Sequence, residues 1–170
     1  MSKNKPFVAI LMGSDSDLPV MRSTIEVLDK FSITKEVKIT SAHRTPEATK
    51  AYIKDAEARG CAVFIAAAGL AAHLAGAVAA TTTKPVIGVP LDAGPLSGMD
   101  ALLATVQMPG GIPVGTVAIG KAGAKNAAYL AAQILALQDA GLAETITAER
   151  AQMTRDVQKK DAALQEQLAG

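Results

Sequence analysis

Three features of this 170-residue chain predict a three-layer α/β sandwich of about five parallel strands, with a further helix extending from its C-terminal end. Short apolar runs alternate with segments of helical periodicity from end to end. The links between them are short. The chain is 49% apolar with near-balanced charge, 17 Lys+Arg against 16 Asp+Glu, which suits a packed core and not a disordered chain. Strand–helix alternation with short links runs the strands parallel and places helices on both faces of the sheet.

The elements follow in order. Phe7-Val8-Ala9-Ile10-Leu11-Met12 and residues 62–67 are continuous apolar runs, as strands covered on both faces require. Residues 85–90 and 115–119 have the same character, whereas 36–40 alternates as an edge strand does. Asp17-Leu18-Pro19 caps a helix that carries Met21, Ile25 and Leu28 on one face, and Thr45-Pro46-Glu47 repeats the device. Residues 71–80, 98–106 and 122–140 supply three more helices, the last stopping before Gly141. The α/β unit is therefore 1–141, and 142–170 is a helical extension. In it Leu142, Met153 and Leu164, and likewise Ile146, Val157 and Leu168, recur every eleven residues. That step is about three turns at 3.67 residues per turn, so the apolar stripe runs nearly straight along a helix. Such a helix docks either on its own domain or on a neighbouring subunit, the sandwich being already closed without it.

Composition excludes several functions. A net charge of +1 leaves no basic excess for nucleic acid, and 3% aromatic residues with no Trp provide no platform for stacking bases. Alanine, 34 residues in all, makes up one position in five. Residues 61–80 carry no formal charge apart from His73, but their few large apolar side chains barely favour membrane insertion. Lys3 and Lys5 ahead of six apolar residues resemble a secretory leader only superficially, because that run is too short. The lone Cys61, in an apolar run, reads as a buried thiol in a reducing cytoplasm. Two histidines 30 residues apart do not have metal-ligand spacing, and there is no Gly-x-Ser-x-Gly elbow.

In this fold class ligands bind beyond the carboxyl ends of the strands. Gly13-Ser14-Asp15-Ser16-Asp17 is a small-residue turn opening a helix, suited to an anion through its backbone N–H groups, although two aspartates oppose a phosphate. Asp17 reads as a helix N-cap or as an acceptor for ribose hydroxyls. Ser41-Ala42-His43-Arg44-Thr45-Pro46 sets a titratable imidazole beside a fixed guanidinium, a proton carrier next to a phosphate fork. The segment from Ala68 through Gly69, Leu70 and Leu74 to Gly76 has small side chains that let backbone approach a ligand. His73 within it reads as a satisfied structural histidine. Residues 91–98 and the Pro/Gly connector 107–115 complete the set of loops.

Together with Ala71-Ala72-His73-Leu74, Gly88-Val89-Pro90 and Val106-Gln107-Met108-Pro109-Gly110-Gly111-Ile112-Pro113-Val114, these motifs occur in one order. In that order the chain resembles the bacterial N5-carboxyaminoimidazole ribonucleotide mutase family of de novo purine (IMP) synthesis, from about Val8 to about Ala140. The resemblance implies a flavodoxin-like sandwich, a homo-octamer with sites between subunits, a cytoplasmic enzyme, and neither metal nor organic cofactor. It implies that a ribonucleotide's carbamate carboxylate moves to carbon 4 of its aminoimidazole ring. By position, His43 is the proton carrier, Ser14 and Asp17 hold the ribose phosphate part, and Arg44 holds the phosphate. Ser16, Ser41, Gly69 and Leu74 are the further substrate contacts. The family commonly has glycine where Leu70 stands and proline where Ala75 stands, so the carbon dioxide pocket here is reshaped. A sister family carboxylates aminoimidazole ribonucleotide directly with free carbon dioxide and typically carries lysine at the position of Arg44. A non-catalytic nucleotide-binding module on the same fold is the remaining alternative, and it would make His43 dispensable.

Overall fold

The computed structural model describes residues 5–169; of the leader-like stretch only Lys3 lies outside the described residues, and its apolar run, Phe7–Met12, forms a strand. Five strands, β1 (Phe7–Met12), β2 (Lys35–Ile39), β3 (Cys61–Gly69), β4 (Val86–Leu91) and β5 (Gly115–Thr116), form one sheet in the order β2-β1-β3-β4-β5. Every pairing is parallel, with Ile10 opposite Val37 on one side and Ile65 on the other. Six helices accompany them: α1 (Leu18–Lys30), α2 (Pro46–Ala58), α3 (Leu74–Ala79), α4 (Met99–Val106), α5 (Gly120–Ala136) and α6 (Ala140–Ala169).

The pleat sends alternate strand residues into two cores. Val8, Ile10, Met12, Val63, Ile65 and Ile87 face α1 and α5. Ala9, Leu11, Phe64 and Ala66 face α2 and α3, where Ile53, Ala56, Leu74 and Val78 meet them. The alanines of α5 at 124, 127, 128, 131 and 132 are all fully buried, so this helix packs on the sheet with almost no side-chain spacer. One role of the alanine surplus is therefore close layer packing. The 61–80 stretch divides into β3, a turn and α3, and no described helix is long and apolar enough to cross a membrane.

Three expectations change. β5 keeps only two of the five residues expected at 115–119, because its ladder with β4 covers only Gly115 and Thr116. The long helix expected to run to Gly141 breaks at Leu137–Asp139, and Gly141 belongs to α6. There the Asp139 carboxylate accepts from the Leu142 N–H at 3.0 Å and starts the new helix. Thirdly, Asp17 does not cap α1 through its side chain. A 3-10 turn at Asp15–Asp17 intervenes, with Ser14 as its cap.

The first turns of α6 are anchored on this domain: Ile146 is buried, Leu142 packs beside it, and Glu149 pairs with Lys30 of α1. Burying Ile146 stabilises the docked turn by about 1.5–3 kcal/mol. From Ala151 to Ala169 every residue is exposed, including Met153, Val157, Leu164 and Leu168.

Candidate active site

The chain leaves β1 to one side for β2 and returns on the other for β3, so a crevice opens at the carboxyl ends of β1 and β3. A pocket of about 300 Å³ lies there. Its wall is built from Gly13, Ser14, Ser16 and Asp17 after β1, Ser41–Arg44 after β2, Ala68–Ala71, His73 and Leu74 at and beyond the end of β3, and Ala93 after β4. All eight residues expected at the site on sequence grounds, Ser14, Ser16, Asp17, Ser41, His43, Arg44, Gly69 and Leu74, line this one pocket.

The β1 loop is ordered by reciprocal capping. Ser14 N–H donates to Asp17 Oδ2 at 3.1 Å, and Ser16 N–H donates to Ser14 Oγ at 3.3 Å. Partial burial raises the Asp17 carboxyl above its usual range, opposed by the backbone N–H groups of Ser14 and Gly13 and assisted by the Asp15 charge. The Asp17 carboxylate thus bonds back to the Ser14 amide instead of capping α1, and the residue lines the pocket.

The His43–Arg44 loop hangs from a hydroxyl cluster. Thr40 and Thr49 are buried, with their hydroxyls 2.6 Å apart. Thr45, expected to cap α2 with its side chain, makes no cap bond; its Oγ1 accepts from Ser41 N–H at 2.9 Å instead. Ser41 Oγ accepts from Arg44 N–H at 3.1 Å and His43 N–H at 3.3 Å. Three threonines at 40, 45 and 49 around the motif were the available signal for this scaffold. The side chains of His43 and Arg44 project outward, both exposed, and Arg44 forms no ion pair among the described residues.

His73 corrects the expectation of a satisfied structural histidine. It is exposed, stands at the pocket, and places Nδ1 2.7 Å from His43 Nε2, with the rings edge-on at 83° and centroids 4.9 Å apart. Its apolar neighbours Ala72, Leu74 and Ala75 are buried, but the turn before α3 directs the imidazole outward. Its position just beyond the end of β3 was the signal. The 30-residue separation hides that β1, between β2 and β3, brings their carboxyl ends close together. Among the described residues no three His, Cys, Asp or Glu side chains converge as a metal-binding set.

Close backbone approach shapes the far wall. A methyl group added at Gly69 would lie 2.6 Å from Ala93 Cβ, so the β3 end and the loop after β4 touch only because residue 69 has no side chain. The site thus offers an imidazole pair, a free guanidinium, a cradle of serine hydroxyls and a partly buried carboxylate. That set can bind a phosphorylated, hydroxyl-rich ligand and move a proton on it.

Comparison with known proteins gives a consistent picture. The family model described as AIR carboxylase matches residues 7–156. N5-carboxyaminoimidazole ribonucleotide mutase of Pyrococcus horikoshii is 50% identical over 166 residues, covering 98% of this chain and 93% of the relative. The proteins of that name from Thermotoga maritima and Bacillus subtilis are each 52% identical, covering 91% and 86% of this chain and 90% of each relative. The crystal structure of Treponema denticola PurE superposes with a TM-score of 0.84 at 31% identity, covering 94% of this chain and 99% of that one.

Proposed function

This chain belongs to the AIR carboxylase family, and we infer that it is an isomerase of de novo purine synthesis, converting N5-carboxyaminoimidazole ribonucleotide to the 4-carboxy isomer. The observation that carries this reading is 50–52% identity to relatives of that name across nearly the whole of both chains, with the His43–Arg44 motif in the pocket.

The residues suggest how the step proceeds. Arg44 takes the substrate phosphate in its fork of donors, while Ser14, Ser16 and Asp17 meet the ribose phosphate part. Ser41, Gly69 and Leu74 line the end where the ring and its carboxylate lie. His43 gives a proton to the carbamate nitrogen. The N–C bond breaks with its electron pair staying on nitrogen, and carbon dioxide separates from neutral aminoimidazole ribonucleotide. The electron-rich carbon 4 then attacks that carbon dioxide, and His43 takes back the proton that carbon 4 gives up. One proton enters and one leaves, so the cycle closes on the residue that opened it. His73, in contact with His43 Nε2, supplies a second seat for that proton. No cofactor is needed by this sequence of steps.

The family's description as AIR carboxylase favours one second reading, direct carboxylation of aminoimidazole ribonucleotide by free carbon dioxide. Arginine at position 44, where that sister family typically has lysine, supports the mutase. Supplying the carbamate substrate while scavenging carbon dioxide and bicarbonate separates the two. Continued product formation is expected; strict dependence on added bicarbonate would overturn the mutase reading.

The working form we infer is a cytoplasmic homo-octamer with no membrane or nucleic acid partner. Two exposed apolar faces support assembly. On α4, Met99, Leu103 and Val106 fall on one side, flanked by Leu96 and Ile112, and α6 carries its stripe of Met153, Val157, Leu164 and Leu168. On this reading residues 142–170 serve a neighbouring subunit beyond their anchored first turns. The lone cysteine and near-neutral charge fit a reducing, aqueous compartment.

A further inference from the structure

The loop that carries His43 and Arg44 is closed by one side chain at its far end. Thr45 stands at the N-cap of α2, yet its hydroxyl makes no bond to that helix. A threonine oxygen at this position ordinarily accepts from the second or third helical N–H. Here Oγ1 turns back along the chain instead. It accepts from Ser41 N–H at 2.9 Å and lies 3.2 Å from Ser41 O, to which it can donate. Thr45 N–H donates to the same carbonyl at 3.0 Å. Both backbone groups of Ser41 are thus tied to one residue, and Ala42, His43 and Arg44 form the closed bridge between them. Oγ1 is also 3.3 Å from the hydroxyl of the buried Thr40, which joins the bridge to the body of the domain. Ser41, Ala42, His43 and Arg44 all line the pocket, and Thr45 is not in its wall.

We propose that Thr45 is a positioning residue for proton transfer: its hydroxyl, withdrawn from the helix it would cap, fixes the backbone of Ser41 and through it the imidazole of His43. The proposal rests on the mutase reading. Ser41 Oγ receives the N–H groups of both His43 and Arg44, so any shift of Ser41 is passed to the two residues that follow. They answer to it differently. The His43 imidazole is short and must keep Nε2 within 2.7 Å of His73 Nδ1, which stands beyond another strand. A displacement of about 1 Å at such a group costs about 10²-fold in rate. The Arg44 guanidinium ends a long, flexible chain and can still reach a phosphate after the same displacement. Thr45 thus governs the chemical step more than substrate binding. Its side chain is exposed, so water can hydrate the Ser41 amide once the hydroxyl is gone, but water does not hold that amide in place.

The test compares Thr45→Val, which keeps the shape and removes the hydroxyl, with Thr45→Ser, which keeps the hydroxyl and removes the methyl group. Steady-state kinetics with the carbamate substrate are measured for both and for wild type, alongside urea unfolding. In Thr45→Val kcat should fall about ten-fold while KM stays within about two-fold of wild type. The urea midpoint should hardly move, because no helix cap is lost. Thr45→Ser should restore kcat. Thr45→Ala should behave as Thr45→Val does and serves in its place if valine is not tolerated at the helix start. Wild-type kcat in the variants without the hydroxyl overturns the role of Thr45 and leaves the mutase reading standing. A loss that Thr45→Ser shares in full also overturns it, since the methyl group is then responsible. Wild type that converts no carbamate substrate overturns the mutase reading itself.

Discussion

His43 Nε2 and His73 Nδ1 lie 2.7 Å apart, a distance at which the two imidazoles share a single proton on that axis. One ring donates and the other accepts. A proton on both nitrogens would force the rings apart, so the two imidazoles hold one proton between them on that axis. This relationship makes His43 more than a lone base in a loop.

His43→Asn removes the proton carrier but not the loop scaffold, which is made by Ser41 and the threonines. Turnover should fall by about 10²–10⁴-fold while the melting temperature and nucleotide binding stay close to wild type. Steady-state kinetics with calorimetric binding checks this. Near-normal turnover would instead favour a non-catalytic binding module.

His73→Asn keeps a polar partner for His43 but cannot titrate. Its kcat should fall about ten-fold with KM little changed, less than in the His43 variant. A kcat equal to that of wild type would show that the second imidazole is a bystander.

Asp17 has a raised carboxyl, so as pH climbs from the usual carboxylate value through the Asp17 value, the folded state holds a proton the unfolded chain has lost. Stability therefore declines across that window and is greater on its acid side. Asp17→Asn keeps an acceptor for Ser14 N–H and removes this dependence. Melting curves from pH 7 down to about 4 should show wild type gaining an increment that the variant lacks. KM should rise about ten-fold through loss of a charged acceptor.

Thr49→Val takes from the buried Thr40 hydroxyl its close partner, leaving it only the 3.3 Å contact with the Thr45 hydroxyl, and should cost about 1 kcal/mol by urea unfolding. Replacing both threonines with valine removes donor and acceptor together and should recover most of that loss. A double variant no more stable than Thr49→Val would refute the hydroxyl pair as the cause.

Truncation after Gln152 leaves Ile146 and Glu149 in place and removes the wholly exposed part of α6. The melting temperature extrapolated to high dilution should stay near that of the full chain, while the mass seen by light scattering should fall. An unchanged assembly would assign this helix to some other task.

Periodicity made most of the fold legible. β1 occupies the six residues of its apolar run, and β2 sits at the sheet edge as its alternation implies. β5 was overextended because an apolar run says nothing about how long a partner strand runs beside it. The position of a break between two helices was also obscure, since residues 122–140 read as continuous until Asp139 turns to cap α6. At the site, residues within one loop were readable from their spacing. The meeting of His43 with His73 was not, because sheet order creates it and spacing does not encode sheet order. The hydroxyl cluster was missed for a related reason: Thr45 looks like a cap until the fold offers it the Ser41 amide.

The buried thiol of Cys61 has a practical consequence. It is 1% exposed, its Sγ–H donates to Val63 O, and burial pushes its pKa up to about 11. Maleimide and iodoacetamide chemistry at neutral pH therefore meets a silent background in the native protein. A reporter cysteine introduced on the surface, for example on α6, can be given a fluorophore or spin label without first removing the natural one. Spectroscopic rulers can accordingly be laid across this molecule with its core packing left as it is.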